Sequence, residues 1–279
     1  MPRKIITENL KQEIIEYYLS QPMSLKAVET KFKLSAPTVI KILKDIPKYP
    51  KAKIKNPSLE ENFFKEIDSE EKSYFLGLLI SDGNVFKDST GRQASISITL
   101  ENQDKYLLEI FKEKIQANTS ISQDGRGCSQ FAFRSNLVAK DLEQYGVIPR
   151  KSYDTFLPVI KEEYMASLIR GIFDGDGSIL VKENGNRFLH SISFCGSKRL
   201  MEELSNYLFD NLLLKQKPTV YHYKDKELSE IKIQNIQDIY CFGKWIYKDA
   251  KIFMKRKEEK FQKFCNHYKL KYGNTELTN

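Results

Sequence analysis

The chain has 279 residues, 41% of them apolar and 29% charged, with a formal net charge of +8. That length and apolar share allow one large or two medium domains with real cores and exclude a disordered chain. No run approaches the roughly 18 uninterrupted apolar residues of a membrane helix, and the start MPRKIITENLKQ has no apolar signal region, so the expectation is a cytoplasmic protein of bacterial or phage context, or an organellar one, and neither a membrane protein nor a secreted one.

The charge is uneven. Residues 1–60 carry 12 Lys/Arg against 6 Asp/Glu, a balance that suits a phosphate backbone or simply solubility. Within NLKQEIIEYYLS (9–20), Leu10, Ile14, Ile15, Tyr18 and Leu19 form one helical stripe. Pro22 interrupts it. Ser24 is placed to cap LKAVETKF (25–32), whose Leu25, Val28 and Phe32 share a face. After a turn at Lys33 and Leu34, Ser35 is a suitable N-cap for a third helix, with Pro37 in its first turn and Val39, Ile40 and Leu43 inward.

Three short helices with a tight turn between the last two describe a helix-turn-helix over residues 1–46. The stretch SLKAVETKFKLSAPTVIKILK resembles that of resolvases and transposase-like proteins. In such a unit the third helix enters the major groove by its N-terminal end. Ser35, Ala36, Thr38 and Lys41 are then the base-facing candidates, and Lys44 meets phosphate. The alternative is a small helical module that binds protein or only packs. Next comes PKYPKAKIKNPSL (47–59), where proline disfavours helix for itself and its predecessor. An extended basic tether is expected over 47–60, its lysines either tracking phosphates or solvated.

The rest of the chain repeats itself. SEEKSYFLGLLISD (69–82) has helical spacing, with Asp68 and Glu71 placed as a capping box. NVFKD follows, then QASISITL, where Ala94, Ile96, Ile98 and Leu100 alternate with Ser95, Ser97 and Thr99 as in a half-buried strand. DKYLLEIFKEKI is an amphipathic helix, SQFAFRS a strand and NLVAKDLEQYG a helix. From residue 161 the order recurs: KEEYMASLIRGIFDGDG helical, SILVKE and FLHSISF strands, SKRLMEELSNYLFDNLL helical, PTVYHYK and LSEIKIQ strands, then IQDIYCFGKWIYKDA and FMKRKEEKFQKF helical. The expected fold class is α+β, two pseudo-symmetric α-β-β-α-β-β-α halves at 61–157 and 158–279. Cys128, Cys195, Cys241 and Cys265 are far apart without a CxxC pair, so reduced thiols are expected.

Both helices that open a half carry small residues on one side: Gly77 and Ser81 in the first, Ala166, Gly171 and Gly175 in the second. Glycine costs about 1 kcal/mol inside a helix, so a packing reason is expected. Two backbones in close contact along a pseudo-twofold axis supply one. Each helix then delivers an acid to its foot, Asp82 or Asp176, beside its twin. Paired carboxylates repel unless a cation bridges them, and oxygen ligands beside a phosphate suit Mg2+, with Mn2+ as a substitute. Asp-Gly turn chemistry is the competing reading of one copy; two equivalent copies favour the metal.

FLGLLISDG (75–83) and IRGIFDGDG (169–177) resemble the nine-residue motif of the LAGLIDADG family of homing endonucleases and maturases. The resemblance spans residues 65–265 or so. It implies metal-binding acids at Asp82 and Asp176, within a metal site of Asp82, Asp176, Ser81 and Gly175. It also implies a lysine near the end of each half that polarises water: Lys151 in GVIPRKS, and Lys257 in FMKRKEE with Lys255 as its rival. Ile80 departs from the name motif where the second copy has Asp174, a position that is structural in the family and varies.

What the resemblance further implies is a monomer that hydrolyses both strands of a long asymmetric DNA site. A β-saddle would present Arg92, Ser95, Ser97, Thr99, Arg134, Lys182, Arg187, Tyr221, Tyr223, Lys232 and Gln234 to the major groove, each otherwise an ordinary solvent-facing residue. The alternatives are a catalytically silent transcription regulator, which loss of the motif acids would mark, and a maturase acting on intron RNA. The chain lacks the Cys or Ser start and the Asn-Cys end of an intein, so a free-standing enzyme is expected.

Overall fold

A computed structural model describes residues 6–20, 25–44, 46, 58–87, 93–149, 155–185, 187–224 and 228–272. The chain divides into two compact units, Met1–Pro57 and Ser58–Asn279. No helix among the described residues is long and apolar enough to cross a membrane. Ser24, Arg92, Lys151 and most of the Pro/Lys tether lie outside the described residues.

In the first unit the apolar stripes fold as their spacing demands. Helices α1 (Glu8–Ser20), α2 (Leu25–Phe32) and α3 (Ala36–Ile42) enclose Ile14, Tyr18, Val28, Phe32, Val39 and Leu43. The ammonium of Lys31 lies 3.5 Å over the Tyr17 ring, which meets Phe32 edge-on. Lys33 takes a left-handed φ of 51° and turns the chain toward α3. Ile40, expected inward, is 54% exposed, and Leu19 is 43% exposed. Each sits about 100° round the helix from a buried neighbour, Val39 or Tyr18; the i, i+4 pair Val39 and Leu43 faces in, with Ile42 packed half-buried beside it. Ser35 is the N-cap residue of α3, but its hydroxyl pairs with Thr38 Oγ1 at 2.9 Å instead of capping a backbone amide.

The second unit carries the repeat. Its first half runs α4 (Glu70–Ser81), β1 (Gly83–Phe86), β2 (Ser95–Glu101), α5 (Lys105–Lys114), β3 (Ser122–Gln123), β4 (Cys128–Arg134) and α6 (Asn136–Glu143). Its second half runs α7 (Met165–Asp176), β5 (Gly177–Asn184), β6 (Arg187–Gly196), α8 (Lys198–Leu212), β7 (Thr219–His222), β8 (Ser229–Ile233) and α9 (Ile236–Tyr247), followed by an additional helix, α10 (Lys255–Tyr272). Each half forms one antiparallel four-stranded sheet, ordered β1-β2-β4-β3 and β5-β6-β8-β7. Ala94, Ile96, Ile98 and Leu100 are all buried, as alternation requires, and the register sets Ile96 opposite Phe133 and Ile98 opposite Phe131. In the second sheet Ile192 faces Ile233, and Phe194 faces Ile231.

The start of α4 differs from the capping box read at Asp68 and Glu71. Ser69 is the N-cap, its hydroxyl accepting from Lys72 N at 3.3 Å. Asp68 lies one residue too early and pairs with the Lys72 ammonium at 2.7 Å.

Helices α4 and α7 make the most extensive contact of any two described elements. A Cβ on Gly77 would run into the carbonyl oxygen of Leu168, and one on Gly171 into that of Tyr74. Each glycine Cα lies 3.0 Å from where the other's Cβ would be. The glycines therefore mark backbone-to-backbone packing. Ala166, higher on α7, is half-buried.

Candidate active site at the feet of the paired helices

The close pairing of α4 and α7 decides where their last residues go. Asp82 follows α4 directly, its amide bonded to Leu78 O, and Asp176 is the last residue of α7. Gly175 has no Cβ, and the room this leaves is taken by Ser81 and by Asp82 Oδ2, which lies 2.8 Å from where a Cβ would sit. Ser81 and Asp82 are half-buried and Asp176 is exposed, so both acids stay open to solvent.

Lys257, in the first turn of α10, is only 4% exposed. Its ammonium donates to Phe173 O at 2.6 Å, Asp174 O at 2.8 Å and Gly177 O at 2.6 Å. These are carbonyls at the C-terminal end of α7, where a cation completes orphan acceptors and complements the helix dipole. Burial pulls the lysine down to about 8, while the charges of Asp174, Asp82 and Asp176 oppose that fall. Lys255 is exposed and turned away, its ammonium 4.7 Å over the Tyr106 ring. Of the two rivals, Lys257 is the one gathered with the acids.

Sequence reasoning missed the polar cluster behind them. Asp174 is fully buried, and its Oδ2 accepts from Tyr74 OH at 2.8 Å and Met254 N at 2.7 Å. Burial, followed by the Asp174 charge, holds the Tyr74 phenol well above its ordinary pKa of 10.0, so it remains a donor. Arg170, 2% exposed, donates to Ile252 O at 2.9 Å and to Ile246 O. The sequence signals were Arg170 and Asp174 within the second motif, where the first copy has Leu76 and Ile80.

These groups make stability depend on pH. Burial raises Asp174 from 3.8 to about 6. Its contribution is therefore full below pH 3.8 and is lost as pH rises through about 6. Lys257 runs the other way, from 10.5 down to about 8, so its burial costs stability below pH 8 and that cost fades toward pH 10.5. Asp174→Asn should gain on the wild type by on the order of 3 kcal/mol between pH 4 and 7, read by urea unfolding. A difference that stays flat with pH would show that Asp174 titrates as an ordinary carboxyl.

The donor set suits a hard divalent cation. Asp82 and Asp176 offer carboxylate oxygens and no sulfur or imidazole. Among the described residues no three His, Cys, Asp or Glu side chains gather to enclose an ion. A cation here would draw its other ligands from main-chain carbonyls, water and a bound phosphate, the pattern Mg2+ favours.

The outward sheet faces carry the polar residues expected of them. Ser95, Ser97 and Thr99 share one face of β2, with Ser95 opposite Arg134 and Thr99 opposite Gln130, which donates to it at 3.1 Å. In the second half Lys182, Tyr221, Tyr223 and Gln234 are exposed. The Lys232 ammonium lies 3.1 Å from Glu230 and 5.7 Å from the Tyr221 ring centre, and Tyr223 donates to Glu230 at 2.7 Å. Glu230 thus ties together two expected contact residues, Lys232 and Tyr223, a role that alternation alone does not reveal. Arg187 pairs with Asn184 at the tip of the β5-β6 hairpin.

No family model matches the chain. Among curated proteins it is 24% identical over 248 residues to an uncharacterized protein of Methanocaldococcus jannaschii, MJ0398, covering 85% of this chain and 83% of that one. A second from the same organism, MJ0314, is 25% identical over 136 residues, 47% of this chain and 50% of that one. Solved structures resemble it in fold. The LAGLIDADG meganuclease I-AabMI bound to uncleaved DNA superposes with a TM-score of 0.53 at 13% identity, over 74% of this chain and 92% of that one. The homing endonuclease I-SmaMI bound to cleaved DNA gives 0.51 at 14%, over 76% and 93%. I-LtrWI bound to target DNA gives 0.51 at 13%, over 78% and 94%.

Proposed function

We propose, from the LAGLIDADG meganuclease fold of this chain, that it is a homing-type DNA endonuclease cutting both strands of a long asymmetric site with Mg2+ or Mn2+. The observation that carries this is the pair of acids, Asp82 and Asp176, held together by glycine-mediated helix packing, with the Lys257 ammonium seated on the carbonyls at the end of the helix that carries Asp176.

Asp82 and Asp176 supply fixed anionic oxygens where a scissile phosphate would arrive. A divalent cation bound there would offset phosphate charge and lower the pKa of a water ligand. Lys257 holds positive charge near that water, and Lys151 is its counterpart in the first half. The outward faces of the two sheets supply donors and aromatic surface for the major groove. Their residues differ between halves, which suits an asymmetric site. One copy of the chain brings both acids, so a monomer suffices.

The helix-turn-helix of the first unit adds a flanking contact through Ser35, Thr38, Lys41 and Lys44; both lysines are exposed. Lys41→Ala with Lys44→Ala should weaken DNA binding and, through the phosphate contact of Lys44, reduce the log–log salt slope by about 1. An unchanged slope would remove α3 from the interface.

The deciding experiment incubates the protein with a duplex joining the sequences that flank its own gene, with Mg2+ or with EDTA. Cation-dependent cleavage of both strands is expected. Tight, salt-sensitive binding without cleavage would make it a regulator, and preferential binding of intron RNA a maturase.

A further inference from the structure

The second motif helix carries two ionic side chains where the first has apolar ones. With Gly77 set against Gly171, Leu76 corresponds to Arg170 and Ile80 to Asp174. All four are buried. Leu76 and Ile80 simply join the core. Helix pairing therefore has an apolar solution at these positions, and burying charges instead carries a desolvation cost. Part of that cost is visible: Asp174 Oδ1 is buried without a hydrogen-bond partner among the described residues.

What the two charges hold is one stretch of chain. Arg170, one helical turn before Asp174, takes the carbonyls of Ile246 and Ile252, and its remaining nitrogen donates to Ser167 Oγ at 3.0 Å. Asp174 takes the amide of Met254. A guanidinium thus grips one acceptor at the end of α9 and one in the segment joining α9 to α10, and a carboxylate grips a donor of that segment. Lys257 lies three residues beyond Met254 and turns its ammonium back onto the end of the same helix. The first half braces the assembly: Tyr74 donates to Asp174, while Tyr106 donates to Phe253 O at 2.9 Å and accepts from Lys255 N at 2.7 Å.

We infer that Arg170 and Asp174 are positioning residues, an ionic clamp that sets Lys257 in the second half-site and has no counterpart on the first motif helix. Cleavage of one strand then depends on the clamp and cleavage of the other does not. This rests on the endonuclease reading, and its test separates the two.

The double variant R170L/D174I copies the first motif helix into the second. The double variant leaves the carbonyls of Ile246 and Ile252, the Tyr74 hydroxyl and the Met254 amide without these partners, so it should melt below the wild type, as should each single variant. With each DNA strand separately labelled, one strand should be cut about 100-fold more slowly and the other within about threefold of wild type. In metal-free protein without DNA, an amine-acylating reagent at pH 10.5, where the buried amine is neutral and a released one half so, should modify Lys257 about tenfold faster than in the wild type, with Lys255 unchanged, as peptide mass spectrometry reads.

Equal loss on both strands, no loss, or an equally protected Lys257 would overturn the clamp. A wild type that binds but never cuts would overturn the endonuclease reading, and the acylation rates would then decide the clamp alone. Should the double variant not fold, Arg170→Lys keeps the charge but loses the two-carbonyl fork; it should give the same faster acylation, and a protected Lys257 there would equally sink the inference.

Discussion

Gly171→Ala is expected to destabilise the 58–279 unit by about 3–5 kcal/mol, although alanine is the better helix former by about 1 kcal/mol. The two contributions have opposite signs, which makes the experiment decisive. The added Cβ would meet the carbonyl oxygen of Tyr74 and lie 2.9 Å from Leu78 N and 3.0 Å from Gly77 Cα. All three are backbone atoms, so no side-chain rotation relieves the clash, and α4 and α7 must move apart along their whole contact. Gly77→Ala should behave alike, because its Cβ meets the backbone of Leu168, Gly171 and Ile172. Gly175→Ala probes the acid end of the same contact: its Cβ meets Ser81 Oγ and Asp82 Oδ2, which can rotate away, and Ser81 Cβ at 2.4 Å, which cannot. It should lower stability as well and disturb the acid site besides. Melting temperatures of the three variants check this, and an unchanged or raised value for Gly171→Ala would refute the packing.

Asp82→Asn and Asp176→Asn should each slow cleavage of both strands by about 1000-fold or more, equivalent to about 4 kcal/mol on the barrier, with DNA affinity equal or higher. Each change keeps the side chain's shape and removes one charge from the place where a cation and a phosphate would meet. Less negative charge also means less repulsion of the DNA backbone, hence the affinity. Single-turnover cleavage and salt-controlled binding measure the two effects separately. A variant that still cut one strand at the wild-type rate would show that the acids do not serve a common site.

Much of this was legible in the sequence because it depends on local period. The alternation of Ala94, Ile96, Ile98 and Leu100 reported a strand and its inner face, and the glycines at Gly77 and Gly171 reported helix contact, since glycine inside a helix needs a reason. Two copies of one pattern located the acids. Period reports the side of an element, however, and not what lies against it. Arg170 and Asp174 matter through a segment some 80 residues later in the chain, which no spacing announces. Ile40 looked inward by composition, but its position on α3 turns it outward. The cap at Ser69 in place of Asp68 turned on one residue of helix register. Lys257 was expected only through the family resemblance, as a lysine near the end of the second half with Lys255 as its rival, and its three carbonyl partners required the fold.

Those carbonyls have a consequence for how the protein is made. The end of α7 is completed by an ammonium that enters the chain 80–84 residues after its acceptors. At ordinary elongation rates of about 5–20 residues per second, roughly 4–16 seconds separate the two on the ribosome. During that interval both acids have been synthesised, but the end of α7 still lacks the buried ammonium that it holds in the folded chain. A nascent or truncated chain thus carries both acids before Lys257, and the strand cut that the clamp governs becomes possible only once α10 has been made.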